Sequence, residues 1–301
     1  MRIAVAATPE VAIPSLESLR AGEHELVCVV TQPDRPAGRG RVLTPTPVAN
    51  WATAHGIEIL KPHSSEELVE LATQVDVIIT IGYGVLLPEA LLNIPRYGFL
   101  NLHFSLLPAW RGAAPVQRSI EAGDLVTGVT VFKLDAGMDT GPIYVQHRYA
   151  LDDDITSDEL FVELADVGVG AIEETLQLIE SGMKPTQQGT VGISRALKLS
   201  KDEGRIDWNQ PSSVINRKIR AFTSNPGAWT EFRGQVIKVE SPHPSTVTLK
   251  PGEILHENKK LFIGTSTEAL EIRTLIPAGK QRMDATAWAR GAHLAQGDHF
   301  E

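Results

Sequence analysis

A chain of 301 residues, 42% apolar and 22% charged, is long enough for two cores or one large one. No window of it nears the ~18 uninterrupted apolar residues that a membrane span needs. A formal charge of −9 argues against a protein that coats nucleic acid, and a single cysteine excludes an internal disulfide.

That cysteine and nine scattered histidines offer no zinc-type ligand spacing, so no metal is expected. The first residues, "MRIAVAATPE", enter an apolar run with no basic, Ser-rich leader and no small-residue cleavage site, so a cytoplasmic chain is expected. No unaccounted apolar stripe stands out, which points to a monomer.

In chain order, "RIAVAA" at residues 2–7 is predicted as a strand and "ELVCVVTQ" at residues 25–32 as a second, with Cys28 a buried, inert thiol. "ATPEVAIPSL" follows the first strand without Gly-x-Gly-x-x-Gly, so dinucleotide binding loses its main support. After the second strand comes "TQPDRPAGRGR", Thr31 to Arg41, and the next helix starts only near Pro47. A loop that long is functional or disordered. Its Arg35, Arg39 and Arg41, spaced by Gly and Pro, suit phosphates; a solvated charged loop is the plainer alternative.

"SSEELVELATQ" reads as a helix capped by Ser64 or Ser65, and strands are predicted from Asp76 ("DVIITIGYG") and Tyr97 ("YGFLNLH"). Strands alternating with helices imply an α/β unit: a Rossmann-like parallel sheet with helices on both faces. Such sheets bind ligands beyond the carboxyl ends of their strands, where "NLH" lies.

From Asp124, "DLVTGVTVFKLDAGMDTGPIYVQHRYAL" gives two strands joined by a Gly-rich, acidic turn. A long helix follows, with Thr156 and Glu159 at capping-box spacing, Leu160, Leu164, Val167 and Ile172 on one face, and Gly182 as its stop. Residues 185–205 are polar and read as a linker, "SSVINRKIRAF" as a short basic helix, and the later runs as strands of a small antiparallel barrel. The expected domains are therefore 1–184, catalytic, and 206–301, a small β domain, joined by 185–205. Residues 1–205 balance at −11 and residues 206–301, with 12 basic and 10 acidic side chains, at +2.

Asn101 and His103 are two apart on an extended segment, so their side chains leave the same face. An amide donor beside an imidazole suits a carbonyl whose oxygen becomes negative; a pair that merely satisfies a strand end is the alternative. Asp139 in "GMDTGP" would raise the imidazole pKa and orient the ring if it lies close, and Asp135 is its rival. Ser105, Leu106, Leu107 and Pro108 would place two leucines in a sheet-top loop, fit for a flat aromatic ligand or for packing beneath the loop. Leu86 and Leu87 would form the opposite wall.

Together, "NLHFSLLP" and "DAGMDTGP" resemble the active-site signature of the folate-dependent formyltransferases, and the likeness runs over nearly the whole chain. "TQPDRPAGRGR", "WRGAAPVQRSI" and "EGRIDW" are similar to the branch that formylates the methionine on initiator tRNA with 10-formyltetrahydrofolate as co-substrate. The resemblance implies catalytic roles for Asn101, His103 and Asp139, with His103 protonated, and folate contact for Ser105 to Pro108. It implies that the loop carrying Arg39 enters the acceptor stem, and that an OB-like C-terminal barrel grips the tRNA, with Arg217, Lys218 and Arg220 clustered there. A nucleotide amino-sugar formyltransferase shares this chemistry but needs no arginine loop. The glycinamide ribonucleotide enzyme leaves the last hundred residues without a purpose. A formyltetrahydrofolate hydrolase would use water as acceptor, and a noncatalytic RNA-binding protein has no use for the Asn, His and Asp.

Overall fold

The structure is a computed structural model, and it describes residues 1–37, 40–295 and 297–301, without the Ala37 side chain. Two compact units divide the chain. The first is Met1–Gly112, Val126–Ala150 and Phe161–Ala196; the second is Ala113–Leu125, Leu151–Leu160 and Leu197–Glu301. Two stretches from inside residues 1–184 thus belong to the second unit.

The first unit holds β1 (Arg2–Ala7), β2 (Glu25–Val30), β3 (Arg35–Ala37), β4 (Val42–Thr44), β5 (Glu58–Leu60), β6 (Val77–Ile81) and β7 (Phe99–His103). It continues with β8 (Arg111–Gly112), β9 (Val126–Lys133), β10 (Ile143–Ala150) and β11 (Arg195–Ala196). The seven-stranded sheet runs β5-β2-β1-β6-β7-β9-β10 and is parallel from β5 to β7. β9 and β10 add an antiparallel edge, so the expected parallel sheet is mixed. The turn of residues 134–142 is too short for a crossover, so β10 returns antiparallel to β9. β6 is buried along its whole length, as a central strand covered on both sides requires.

Helices α1 (Ile13–Ala21), α2 (Pro47–His55), α3 (Val69–Gln74) and α4 (Glu89–Leu92) connect the parallel strands. α2 begins at Pro47, as expected, because Thr46 Oγ1 accepts from Ala49 N at 3.0 Å and Pro47 presets the first turn. Phe99 of β7 shares a core with Leu71 of α3. α5 (Pro115–Ala122) precedes the 24-residue α6 (Ser157–Glu180). Leu102 points the opposite way from Phe99 and packs against Gly168 of α6, so helices cover both faces of the sheet.

The second unit contains α7 (Ser212–Phe222), β12 (Trp229–Phe232), β13 (Gln235–Pro244), β14 (Ile254–Glu257), β15 (Lys260–Ile263), β16 (Leu270–Pro277), β17 (Met283–Asp284) and α8 (Ala285–Ala292). Its antiparallel sheet runs β12-β13-β16-β15-β14, with β17 on β16. The last residues connect the two edges: Glu301 N donates to Glu231 O at 3.0 Å, and Phe300 N to Gly252 O at 2.8 Å. Phe300 anchors them among Trp208, Phe232 and Trp288, at ring separations of 5.6 to 5.9 Å. Aromatic burial thereby holds the barrel-like closure.

Candidate active site

β7 ends at the carboxyl edge of the sheet with Asn101 half-buried and His103 6% exposed on one face. Thr80 on neighbouring β6 fixes the amide. Its hydroxyl donates to Leu100 O at 3.0 Å and accepts from Asn101 Nδ2 at 2.8 Å, which leaves the second amide hydrogen for a ligand.

His103 Nε2 donates to Trp110 O at 2.9 Å, and Nδ1 lies 3.8 Å from Asp139 Oδ2. That gap is too long for a direct hydrogen bond and short enough for strong coupling. Burial pushes the imidazole below its ordinary pKa, although the Asp139 carboxylate and the Trp110 carbonyl pull upward. Of these opposing influences desolvation is the largest, so burial works against the protonated form that the resemblance implies for His103.

Asp139, and not Asp135, faces the histidine. Asp135 closes its own turn, accepting from Gly137 N at 3.0 Å and Thr140 Oγ1 at 2.8 Å. Asp139 Oδ2 accepts from Gly112 N at 2.7 Å. Gly112 sits at φ +123°, and a Cβ there would come within 2.6 Å of Ala196 O, so this donor position needs glycine. Trp110 at φ +61° and Asp139 at φ +54° are also left-handed, a concentration of backbone strain typical of functional loops.

Residues 186–196 are anchored to the first unit. Thr186 and Ile143 exchange backbone hydrogen bonds of 2.7 and 2.8 Å, β11 pairs with β8, and Ser194 Oγ accepts from Trp110 N at 2.9 Å. Sequence reasoning missed Thr80, Gly112 and Gln188. Thr80 left a signal, a hydroxyl inside the apolar run "VIITI"; Gln188, in a polar stretch, left none.

The residues expected to wall the folate lie at different depths. Ser105 and Leu107 are 0% and 3% exposed, so their side chains face inward. Ser105 Oγ donates to Ala109 O at 2.6 Å, and Leu107 N donates to the buried Thr130 Oγ1 at 3.1 Å. Leu106 and Pro108 are half-buried, Leu87 packs on the core, and Leu86 is 82% exposed.

Residues 35–44 carry a β3–β4 hairpin, where an irregular loop was expected. Arg35 and Arg41 on it are exposed; Arg39 lies outside the described residues. In the second unit, Arg220 contradicts its expected place on a tRNA surface. It is 7% exposed, donating to Asn216 Oδ1 and Ile155 O at 2.7 Å each. Arg217 is half-buried and donates to Glu121 O at 3.2 Å, and Lys218 lies 5.3 Å from the Phe222 ring centre. Arg217 and Arg220 line a cavity of about 430 Å³ with Asp152, Asp153 and Asp154, carboxylates that offset their charge. Among the described residues no helix is long and apolar enough to cross a membrane, and no His, Cys, Asp and Glu group is fit to hold a metal.

The formyl transferase family profile matches residues 1–176, and that of the formyl transferase C-terminal domain matches residues 198–293. The chain is 44% identical to the methionyl-tRNA formyltransferase of Thermobifida fusca (strain YX), over 100% of this chain and 99% of that one. Among solved structures, HypX from Aquifex aeolicus with tetrahydrofolic acid superposes at TM-score 0.70 and 20% identity, covering 97% of this chain and 47% of its own. The N-formyltransferase from Helicobacter canadensis, with folinic acid and dTDP-3-aminofucose, gives 0.71 and 18%, covering 93% and 99%.

Proposed function

This chain belongs to the formyl transferase family, and from that membership we infer that it transfers the formyl group of 10-formyltetrahydrofolate to the free α-amino group of methionyl initiator tRNA. Identity of 44% along the whole chain carries the reading. The amino-sugar enzyme is similar in fold at 18% identity, so that alternative is not favoured.

For the chemistry, the α-amine, with a pKa near 8 or lower, supplies a neutral nucleophile for the formyl carbon. The second Nδ2 hydrogen of Asn101 donates to the oxyanion of the tetrahedral intermediate. As the C–N bond forms, the amine proton passes to the His103–Asp139 pair, and Asp139 stabilises the imidazolium. The same proton then goes to the folate nitrogen as the old C–N bond breaks. Trp110 O and Gly112 N hold the two partners for this transfer. Exposed Leu86, with Leu106, Pro108 and the backbone of Ser105 and Leu107, is the proposed folate contact.

The hairpin arginines Arg35 and Arg41, with Arg39 between them, are the proposed acceptor-stem contact, and the second unit is the proposed grip on the tRNA body. A reaction on initiator tRNA belongs in the cytoplasm, where translation starts. Asn101→Ala, His103→Ala and Asp139→Ala should each lower kcat by about 10²–10³-fold in steady-state formyl transfer. Near-normal turnover in any one removes that residue from the mechanism.

A further inference from the structure

Gln188 follows α6 and takes no part in the steps above, yet its side-chain amide is fully engaged. Nε2 donates to the Asp139 and Gly141 carbonyls, both at 2.8 Å. Oε1 accepts from Arg111 Nε at 3.2 Å and Nη2 at 2.6 Å. One amide thus joins loops lying 49 and 77 residues away in sequence. Those loops meet again where Gly112 N donates to Asp139 Oδ2 at 2.7 Å. Asp139 is held at its carboxylate and at its carbonyl, in a left-handed conformation that persists only where surroundings over-determine it.

We propose that Gln188 is a positioning residue for formyl transfer, which sets the Asp139 carboxylate against His103 by gripping the Asp139–Gly141 turn through two backbone carbonyls. The inference rests on the reading of Asp139 given above. Side-chain chemistry makes it specific. Two carbonyls need two N–H donors, while Arg111 needs an acceptor, and an amide of this length supplies both. A glutamate would keep and strengthen the Arg111 contact but turn an acceptor toward the carbonyls. A leucine would fill the space and make neither contact.

The test compares Gln188→Glu, Gln188→Leu and Asp139→Asn in the full chain, reading kcat, KM for both substrates and thermal unfolding. Both Gln188 variants should lose about 10- to 100-fold in kcat with KM changed by less than about twofold, the scale of a ~1 Å misplacement. Normal kcat in Gln188→Glu beside a loss in Gln188→Leu would mean a structural tie to Arg111 and would overturn the proposal. So would normal kcat in both, or an effect confined to KM. If Gln188→Leu unfolds early, the near-isosteric Gln188→Glu decides. Normal turnover in Asp139→Asn would instead remove the reading of Asp139, and the proposal with it.

Discussion

Burial to 6% exposure and a 3.8 Å separation from Asp139 give His103 an ionisation unlike that of a surface histidine. Desolvation lowers its pKa, and the carboxylate only partly offsets this. An imidazole NMR titration of the free enzyme should therefore give a midpoint below about 6.5, and Asp139→Asn should move it lower still. The sign for stability follows. As pH falls through the ordinary value, the unfolded chain binds the proton first, so stability drops until the folded imidazole is protonated as well. A midpoint above 6.5, or a rise in the Asn variant, contradicts this balance. At this scale the strand-end pair was legible because alternation alone puts Asn101 and His103 on one face. Spacing alone left Asp139 and Asp135 open, and only the family resemblance singled out Asp139. The choice depends on Gly112 donating across 27 residues and on Asp135 satisfying itself locally.

Among the elements, local chemistry was legible and long-range pairing was not. The capping box read from Thr156 and Glu159 is present: Thr156 N donates to Glu159 Oε2 at 2.9 Å, and Glu159 N to Thr156 Oγ1 at 3.3 Å. Thr156→Ala should cost about 1 kcal/mol of stability in urea unfolding, and an unshifted midpoint would show the cap to be idle. The hairpin at residues 35–44 escaped prediction because Pro and Gly mask its short strands. β5, three residues long, carries too little pattern to be seen. Residues 186–196 look like a polar linker because their order comes from partners such as Ser194 with Trp110, not from periodicity.

Across the whole molecule, composition and alternation pointed to two units of different character, an α/β sheet followed by an antiparallel one. Charge was a weaker guide. The +2 balance after residue 205 suggested a basic face, yet Arg220 is spent on internal hydrogen bonds beside Asp152, Asp153 and Asp154. Net charge counts side chains without regard to where they point.

The acceptor is the central claim, and one assay addresses it directly. Purified full-length protein with 10-formyltetrahydrofolate should formylate methionyl initiator tRNA and leave a dTDP-linked amino sugar unreacted. Formylation of the sugar with the tRNA untouched would contradict the account, keeping the folate chemistry and removing the tRNA.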